Sequence, residues 1–362
     1  MADNDFTEAE RSSIEALIED IAHGTIREVA AAGPDQADWN SHVARFVGLS
    51  WLDAPWFFVE LYFYRRMLDA VDYWETGADP YRRQKRLGLD QAIAPARTTI
   101  SSVDAAYARG VSTDYLLIQL TDAALWGNQV DLSLWPAEDG GTPELDSHDD
   151  RLLLDDRPGA IRSLRDRRPP IVDIVLDNAG AELVADLLVA DLLLRSDLAS
   201  QVRLHAKAYP IFVSDAMPAD VTETIRHLAA DTNPHLRSAG ERLRGEASAD
   251  RLIVTAEPFW VSPLEWRDRP GSIEDSLAES GLVIVKGDAN YRRLIGDRHW
   301  EFTTPFPDAV GGTPAPLLAL RTLKSEVAAG LAAADVARAE EADENWLVNG
   351  RWAVASFIPI QM

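Results

Sequence analysis

Four hydrophobic runs in this chain end in groups able to hold a cation or an anion. They are IVDIVLDNAG (171–180), YPIFVSDA (209–216), LVIVKGDANYR (282–292) and LLALRTLK (317–324). The first ends in Asp177 and Asn178, and the second in Asp215. The third ends in Lys286 with Asp288 and Asn290, and the fourth in Arg321 and Lys324. Carboxylate and amide oxygens are hard donors, suited to Mg²⁺ or Mn²⁺. A lysine meets an anion as a point charge, whereas an arginine offers a planar fork. Ligands of an open α/β sheet bind in the crevice outside the carboxyl ends of its strands. If these runs are strands of one sheet, acids from two of them hold a divalent cation and bases from the other two hold a phosphate.

Each motif also has a plainer explanation. Asp177 and Asn178 are favoured helix N-caps, and Ser214 or Asp215 could cap a helix starting near Pro218. Glu182 faces the same crevice or merely favours a helix N-terminus. Lys286 could snorkel from a turn at Gly287, and Arg321 could pair with a structural acid. KGDANYRRL (286–294) is the most specific stretch, because a lysine at a strand end adds nothing to packing. The helix that follows would add N–H donors for phosphate. Glu60, inside the apolar stretch WFFVELYFYRR (56–66), needs a partner: Arg65, Arg66 or the site itself. Asn128 and Asp131 follow Gly127 in LWGNQVDLSL (125–134); Asn128 either caps a helix or touches substrate. His205 sits in an apolar run and reads as a satisfied core residue. The chain contains no P-loop, no GxGxxG fingerprint and no GxSxG elbow.

These groups need a scaffold. Residues 1–130 read as helical, with helices expected over 7–32, 56–74 and one or two more between 101 and 128. Residues 136–170, acidic and rich in Gly and Pro, read as an exposed connection. From 171 onward, strands alternate with helices. Strands are expected at 171–176, 201–206, 251–255, 282–286 and 316–321, with a last edge strand at 352–357. Helices are expected at 181–195, 218–230, 272–279, just after Asp288, and at 322–334. Fully apolar strands joined by helices imply a parallel sheet covered on both faces. The expected fold is therefore α/β: an N-terminal helical domain (1–150) and a C-terminal three-layer α/β/α domain (151–362) with a mostly parallel, Rossmann-like sheet.

Composition narrows the partners. The 362 residues carry 59 acids against 35 Lys and Arg, a net charge of −24. Such a surface repels nucleic-acid phosphates and anionic lipid, which argues against both. A small phosphorylated metabolite remains compatible if local bases outweigh the global field. With no cysteine there is no disulfide, thiol nucleophile or Cys zinc site, and a reducing cytoplasm fits. The acidic start MADNDFTEAER is the reverse of a signal peptide. No stretch approaches a membrane span; the richest apolar run, 54–64, is broken by Glu60. Oligomeric state is left open.

PWFFVELYFYRR, LWGNQVDLSL, LDNAGAEL, FVSD, KGDANYRRL and RTLK, in this order, resemble the metal-dependent damage-control phosphatases. The closer resemblance is to the acidic-residue methyltransferase-like subfamily, and it spans most of the chain. It implies a metal held by Asp177, Asn178 and Asp215, with Asp177 and Asp215 as catalytic acids. It also implies substrate contacts from Glu182, Asp288, Asn290, Tyr291, Arg292 and Lys324, beside the candidates Lys286, Arg321 and Asn128. The activity implied is hydrolysis of sugar phosphates or damaged phosphometabolites with Mn²⁺, Mg²⁺, Co²⁺ or Ni²⁺. The alternative attached to this family is S-adenosylmethionine-dependent methylation of carboxylates. The loop DNAGAE (177–182), with one glycine, lacks the Gly-rich turn of a nucleotide cofactor site, and a carboxylate-rich metal site serves phosphoryl transfer better. Haloacid-dehalogenase-type phosphatases need a second Asp where this chain has Ala179. A catalytically silent sugar-phosphate binder is the third reading.

Overall fold

The computed structural model describes residues 6–29, 33–127, 149–166 and 170–360. Six helices come first: α1 (Glu8–His23), α2 (Gln36–Val43), α3 (Trp56–Ala70), α4 (Tyr73–Thr76), α5 (Arg82–Ala108) and α6 (Thr113–Trp126). Strands and helices then alternate: β1 (Leu152–Asp155), α7 (Arg157–Arg165), β2 (Ile171–Val175), α8 (Ala181–Arg195), β3 (Gln201–His205), α9 (Pro218–Ala229), α10 (Pro234–Ser248) and β4 (Leu252–Thr255). The series continues with α11 (Gly271–Ala278), β5 (Ser280–Lys286), α12 (Asp288–Ile295), α13 (Phe306–Val310), β6 (Leu317–Thr322), α14 (Ala333–Ala342) and β7 (Ala353–Ile358). The chain is thus a helical region followed by an α/β part, as its hydrophobic patterning implies.

The seven strands form one sheet in the order β1-β7-β6-β5-β2-β3-β4. All neighbours are parallel except β6 and β7. From β2 the chain steps outward to β3 and β4, then returns to the other side of β2 with β5 and β6. The reversal leaves a crevice at the carboxyl ends of β2 and β5, where α/β folds bind ligands. Successive side chains of a strand point to opposite faces. Val172, Ile174, Leu204, Ile284 and Leu318 accordingly join one core, with α5 to α10. Val175, Val283, Val285, Leu317 and Ala319 join the other, with Trp260, Trp266, Trp346 and Trp352. Buried residues of α1 to α3 form a third cluster with Tyr209, Ile211 and Val261. Because α5 and α6 share a core with the sheet, the helical region packs directly on the α/β part.

Several expectations need correction. The segment 136–170 is not all connection: Leu152–Asp155 is a strand, paired with β7, and α7 follows it. Its charged flanks hid a four-residue edge strand. β7 is therefore not an edge, because β1 covers it. The run 209–216 is not a strand. Pro210 lacks an N–H, and Phe212 and Val213 hold φ of 50° and 66°, which breaks extended backbone. No helix spans 322–334; residues after Thr322 form a loop until α14 begins at Ala333. The Arg321 guanidinium captures the Ser325 and Val327 carbonyls there. The helix expected over 7–32 stops at His23, and α10 lies where no element was assigned.

One buried cluster holds the middle of the sheet. Asp173 of β2 accepts two 2.8 Å bonds from Arg203 and one of 2.7 Å from His205 Nε2. Ser280 also donates to it. His205 Nδ1 accepts from Thr255 and Trp260, so the histidine is fully used in the core. Burial pushes the Asp173 carboxyl up, but the bonds from His205 and Arg203 outweigh it and hold it below the usual range. Asp173→Asn should cost about 3–5 kcal/mol of folding stability, the penalty for stripping a partner from a buried charge. Urea unfolding of the variant checks this.

Candidate metal and phosphate site

The site grows from the ends of β2, β3, β5 and β6. Asp177 and Asn178 leave β2 just before α8 begins. Asp215 reaches them by a long loop after β3, not from a strand end. An isolated antiparallel bridge joins Asn178 to Asp215, with Ala179 N donating to Ser214 O at 2.7 Å and Ala216 N to Asp177 O at 2.8 Å. A β-branched residue such as Val213 rarely adopts positive φ, and such strain persists only where surrounding contacts impose it. Here it turns Ser214 and Asp215 back onto the β2 end.

The side chains converge. The Asn178 amide donates to Asp177 Oδ2 at 2.8 Å and to Glu182 Oε1 at 2.9 Å. Its oxygen accepts from Ser214 Oγ at 2.5 Å. Gly287, between β5 and α12, has φ 82°, and a Cβ there would lie 2.0 Å from the Asp177 carboxylate. Only glycine lets the KGD turn approach so closely. Lys207 joins the cluster, its Nζ 3.4 Å from Asp215 Oδ2 and donating to Asn290 Oδ1 at 2.8 Å. The Asn290 amide donates to the carbonyls of Leu176 and Lys286, clamping the ends of β2 and β5 together.

Charge is unbalanced. Burial, and then the charges of Glu182 and Asp215, push the Asp177 carboxyl well above its usual range. Burial pushes Asp215 up to about 6 although Lys207 and Lys85 oppose it. Lys207 is lowered by burial against the pull of Asp215. Among the described residues Asp215 Oδ2 is buried with no well-formed hydrogen bond, its contact being the 3.4 Å ion pair with Lys207. Among the described residues no trio of His, Cys, Asp or Glu forms a metal cage. The donors present are instead two carboxylates and an amide, a set that leaves room for water and substrate on a Mg²⁺-like ion. The underused Asp215 oxygen and the crowded carboxylates fit such a cation.

The expected bases occupy different places. Lys286 is fully buried; its Nζ donates to Ala124 O at 2.7 Å and lies 3.0 Å from Asp186 and 4.0 Å from Glu182. Arg321 is also buried. It bonds Asp288 Oδ1 at 2.8 Å and stacks over the Tyr291 ring, 4.4 Å from its centroid. Asp288 in turn accepts from Lys324 N and Ser325 Oγ. Tyr291 is buried against Phe306. Arg292 pairs with Glu60 at 2.6 Å and Asp297 at 2.7 Å, which gives Glu60 its partner. Arg65 pairs with Asp35 and Asp69, and Arg66 with Asp20. Lys324 is exposed, and its charge draws the Asp177 carboxyl downward. Asn128 and Asp131 lie outside the described residues. Sequence reasoning missed Lys207 and Ser214; a lysine in the apolar run VRLHAK was the available signal for the first.

A cleft of about 1180 Å³ opens beside these residues, lined by Lys324, Ser325, Arg292, Arg45, Trp56 and others. It does not include Asp177, Asn178 or Asp215. Lys324 is the link, since it lines the cleft and acts on Asp177. The lining carries four Lys and Arg and four acids, a neutral patch in a chain of net charge −24.

Residues 2–339 match the family described as Damage-control phosphatase ARMT1-like domain. The chain is 33% identical to "Damage-control phosphatase ARMT1" of Danio rerio, over 89% of this chain and 79% of that one. The protein of that name from Xenopus laevis is 34% identical, over 84% and 75%. The Homo sapiens protein is 31% identical, over 85% and 75%. A crystal structure of a DUF89 family protein from Pyrococcus horikoshii aligns with 97% of this chain and 98% of its own, at 15% identity and a TM-score of 0.47. With the match spanning nearly its whole length, the chain belongs to the damage-control phosphatase ARMT1-like family.

Proposed function

We propose that this protein is a divalent-metal-dependent phosphatase of small phosphomonoesters, sugar phosphates or damaged phosphometabolites among them. The observation that carries this is the surplus of buried carboxylate at Asp177 and Asp215, next to an exposed lysine at the mouth of a cleft. Asp177, Asp215 and the Asn178 side-chain oxygen would hold the ion. The amide nitrogen is held by Asp177 and Glu182 and the oxygen accepts from Ser214 Oγ, which leaves that oxygen a second lone pair for the ion. A bound Mn²⁺ or Mg²⁺ would offset charge on the phosphoryl oxygens and polarise a water.

The chain's own residues supply the rest. Lys324, exposed and in no ion pair among the described residues, meets the incoming phosphate beside Asp177. The cleft receives the organic part, with Trp56 presenting an exposed ring. Lys207 holds Asp215 and Asn290 in register. Arg321 and Arg292 serve by fixing Asp288 and Glu60, because their guanidinium groups are committed to those carboxylates. Methyl transfer is the less supported reading. A cofactor approaching the turn between β2 and α8 would need room at Gly180, whose Cβ position lies 3.2 Å from the Gly88 backbone.

Three sets of outcomes are expected, on the metal, the lysine and pH. Chelation with EDTA should abolish phosphate release from a sugar phosphate and Mn²⁺ should restore it, without S-adenosylmethionine. Asp177→Ala should lower kcat by at least about 100-fold, the scale of losing a group that positions the reacting atoms. Phosphate release by thoroughly metal-stripped protein at the full rate would refute the metal assignment.

Lys324→Ala should cost about 10- to 150-fold in kcat/KM, since a charge-assisted bond is worth roughly 1.5–3 kcal/mol. Steady-state kinetics on the folded variant measures it; an unchanged kcat/KM places phosphate recognition elsewhere.

The third concerns pH. Asp215 has its folded pKa raised to about 6, so the metal-free fold favours its protonated form. That contribution is present below the unfolded value of 3.8 and is lost as pH rises through about 6. The melting temperature of metal-free protein should therefore fall more steeply between about pH 4 and 6, the interval between those two values, than that of Asp215→Asn. Added Mn²⁺ should flatten the wild-type profile. Parallel calorimetric profiles of the two metal-free proteins would contradict it.

A further inference from the structure

Behind the site lies a buried ion pair that phosphate hydrolysis does not itself require. Asp186, on α8 one turn beyond Glu182, is 2% exposed. Its Oδ1 lies 3.0 Å from Lys286 Nζ, and among the described residues its Oδ2 has no hydrogen-bond partner. Lys286, the last residue of β5, completes its shell with the Ala124 carbonyl near the end of α6 and a 4.0 Å contact with Glu182 Oε2. Glu182 then accepts from Asn178, and Asn178 donates to Asp177. A continuous chain of contacts thus runs Asp186, Lys286, Glu182, Asn178, Asp177. The methylene of Glu182 is confined on its other side: a Cβ on Gly127, the residue after α6, would lie 3.2 Å from Glu182 Cγ.

Charge explains why two acids share this lysine. With Glu182 as its only carboxylate, a dry lysine would draw that side chain into direct contact and away from Asn178. Asp186 takes the closer place, 3.0 Å against 4.0 Å, and leaves Glu182 free to hold the amide. We infer that Asp186 and Lys286 are positioning residues of the metal site: together they hold Glu182 where it orients Asn178 beside Asp177. This rests on the metal reading above. Neither group touches the ion or the substrate. Groups behind a metal's own ligands set ligand orientation, and their loss commonly costs 10- to 100-fold in metal affinity.

The test compares Mn²⁺ binding, by titration calorimetry on full-length protein, with folding stability from urea melts. Asp186→Asn should weaken Mn²⁺ binding by about 10- to 100-fold. It also strips a partner from buried Lys286 and could unfold the protein, so a second variant is needed. Asp186→Leu with Lys286→Met removes the pair together, an exchange that is often neutral or stabilising. It also takes a positive charge away from Glu182 and Asp177, which by Coulomb attraction alone would strengthen cation binding. A merely structural pair therefore predicts wild-type stability with unchanged or tighter Mn²⁺ binding in the double variant. The positioning role predicts near-wild-type stability with Mn²⁺ binding still weakened about 10-fold or more. Wild-type or tighter affinity in the double variant overturns the inference while leaving the metal reading intact. If the wild-type protein itself binds no Mn²⁺, the metal reading fails, and the positioning role falls with it.

Discussion

Everything near the site answers one constraint: carboxylates are crowded into a dry space. Asp177, Asp215, Glu182 and Asp186 gather at the carboxyl ends of β2 and β5; buried Lys207 and Lys286 lie against them, and buried Lys85 and Arg293 act on Asp215 from farther away. An unpaired buried charge is costly, and proteins relieve it by protonation, pairing or metal binding. The upward shifts of Asp177 and Asp215 are the first of these responses. The placement of Lys207 between Asp215 and Asn290 is the second. Local conformations that would otherwise be avoided are kept because they hold this crowd together. Val213 sits at positive φ so that Asp215 can return to Asn178, and residue 287 is glycine so that the turn can touch Asp177. Strain of this kind is tolerated where surrounding contacts over-determine the backbone.

Much of the fold was legible because its signals are periodic. Five parallel strands and most of the helices between them follow from apolar runs of strand length separated by helical patterns; α10 and α13 do not. What failed to show has physical reasons. β1 is four residues long and flanked by charge, so no period could emerge. The 209–216 run is apolar because Tyr209 and Ile211 pack on the N-terminal helices, not because it extends as a strand. A helix is expected over 322–334 because a helix follows each earlier strand, but Arg321 captures carbonyls that a helix would need for itself. The alternation gave way to a tertiary bond.

The candidate site divides in the same way. Asp177, Asn178 and Asp215 stood out because acids and amides at strand ends have chemistry to do, and the structure does bring them together. The basic residues were harder. Arg321 and Lys286 follow the same sequence logic as Lys324, yet both are buried on carboxylates while Lys324 is exposed. Nothing in a single sequence distinguishes a base that meets a ligand from one that meets an acid of its own chain, since both sit at strand ends. The partner decides, and Asp186 and Asp288 become partners only once α8 and α12 are folded over the sheet. Lys207 was missed for the converse reason: it lies just past β3, where the apolar pattern suggested strand and nothing more.

The helical region has a definite part in this arrangement. The chain places several of its buried bases as ties between its two parts. Lys85 of α5 lies 2.9 Å from both Asp79 and Asp220, at the start of α9. Arg292 of α12 reaches Glu60 of α3, and Lys286 of β5 holds the Ala124 carbonyl of α6. Gly88 of α5 packs against Gly180 at the turn after β2, where both residues lack a side chain. These ties meet the α/β part at α9, at α12, at the end of β5 and at the turn after β2. The N-terminal helices therefore act on the carboxylate cluster directly: they close its dry side, fix the groups behind it and leave the face beside Lys324 open to the cleft.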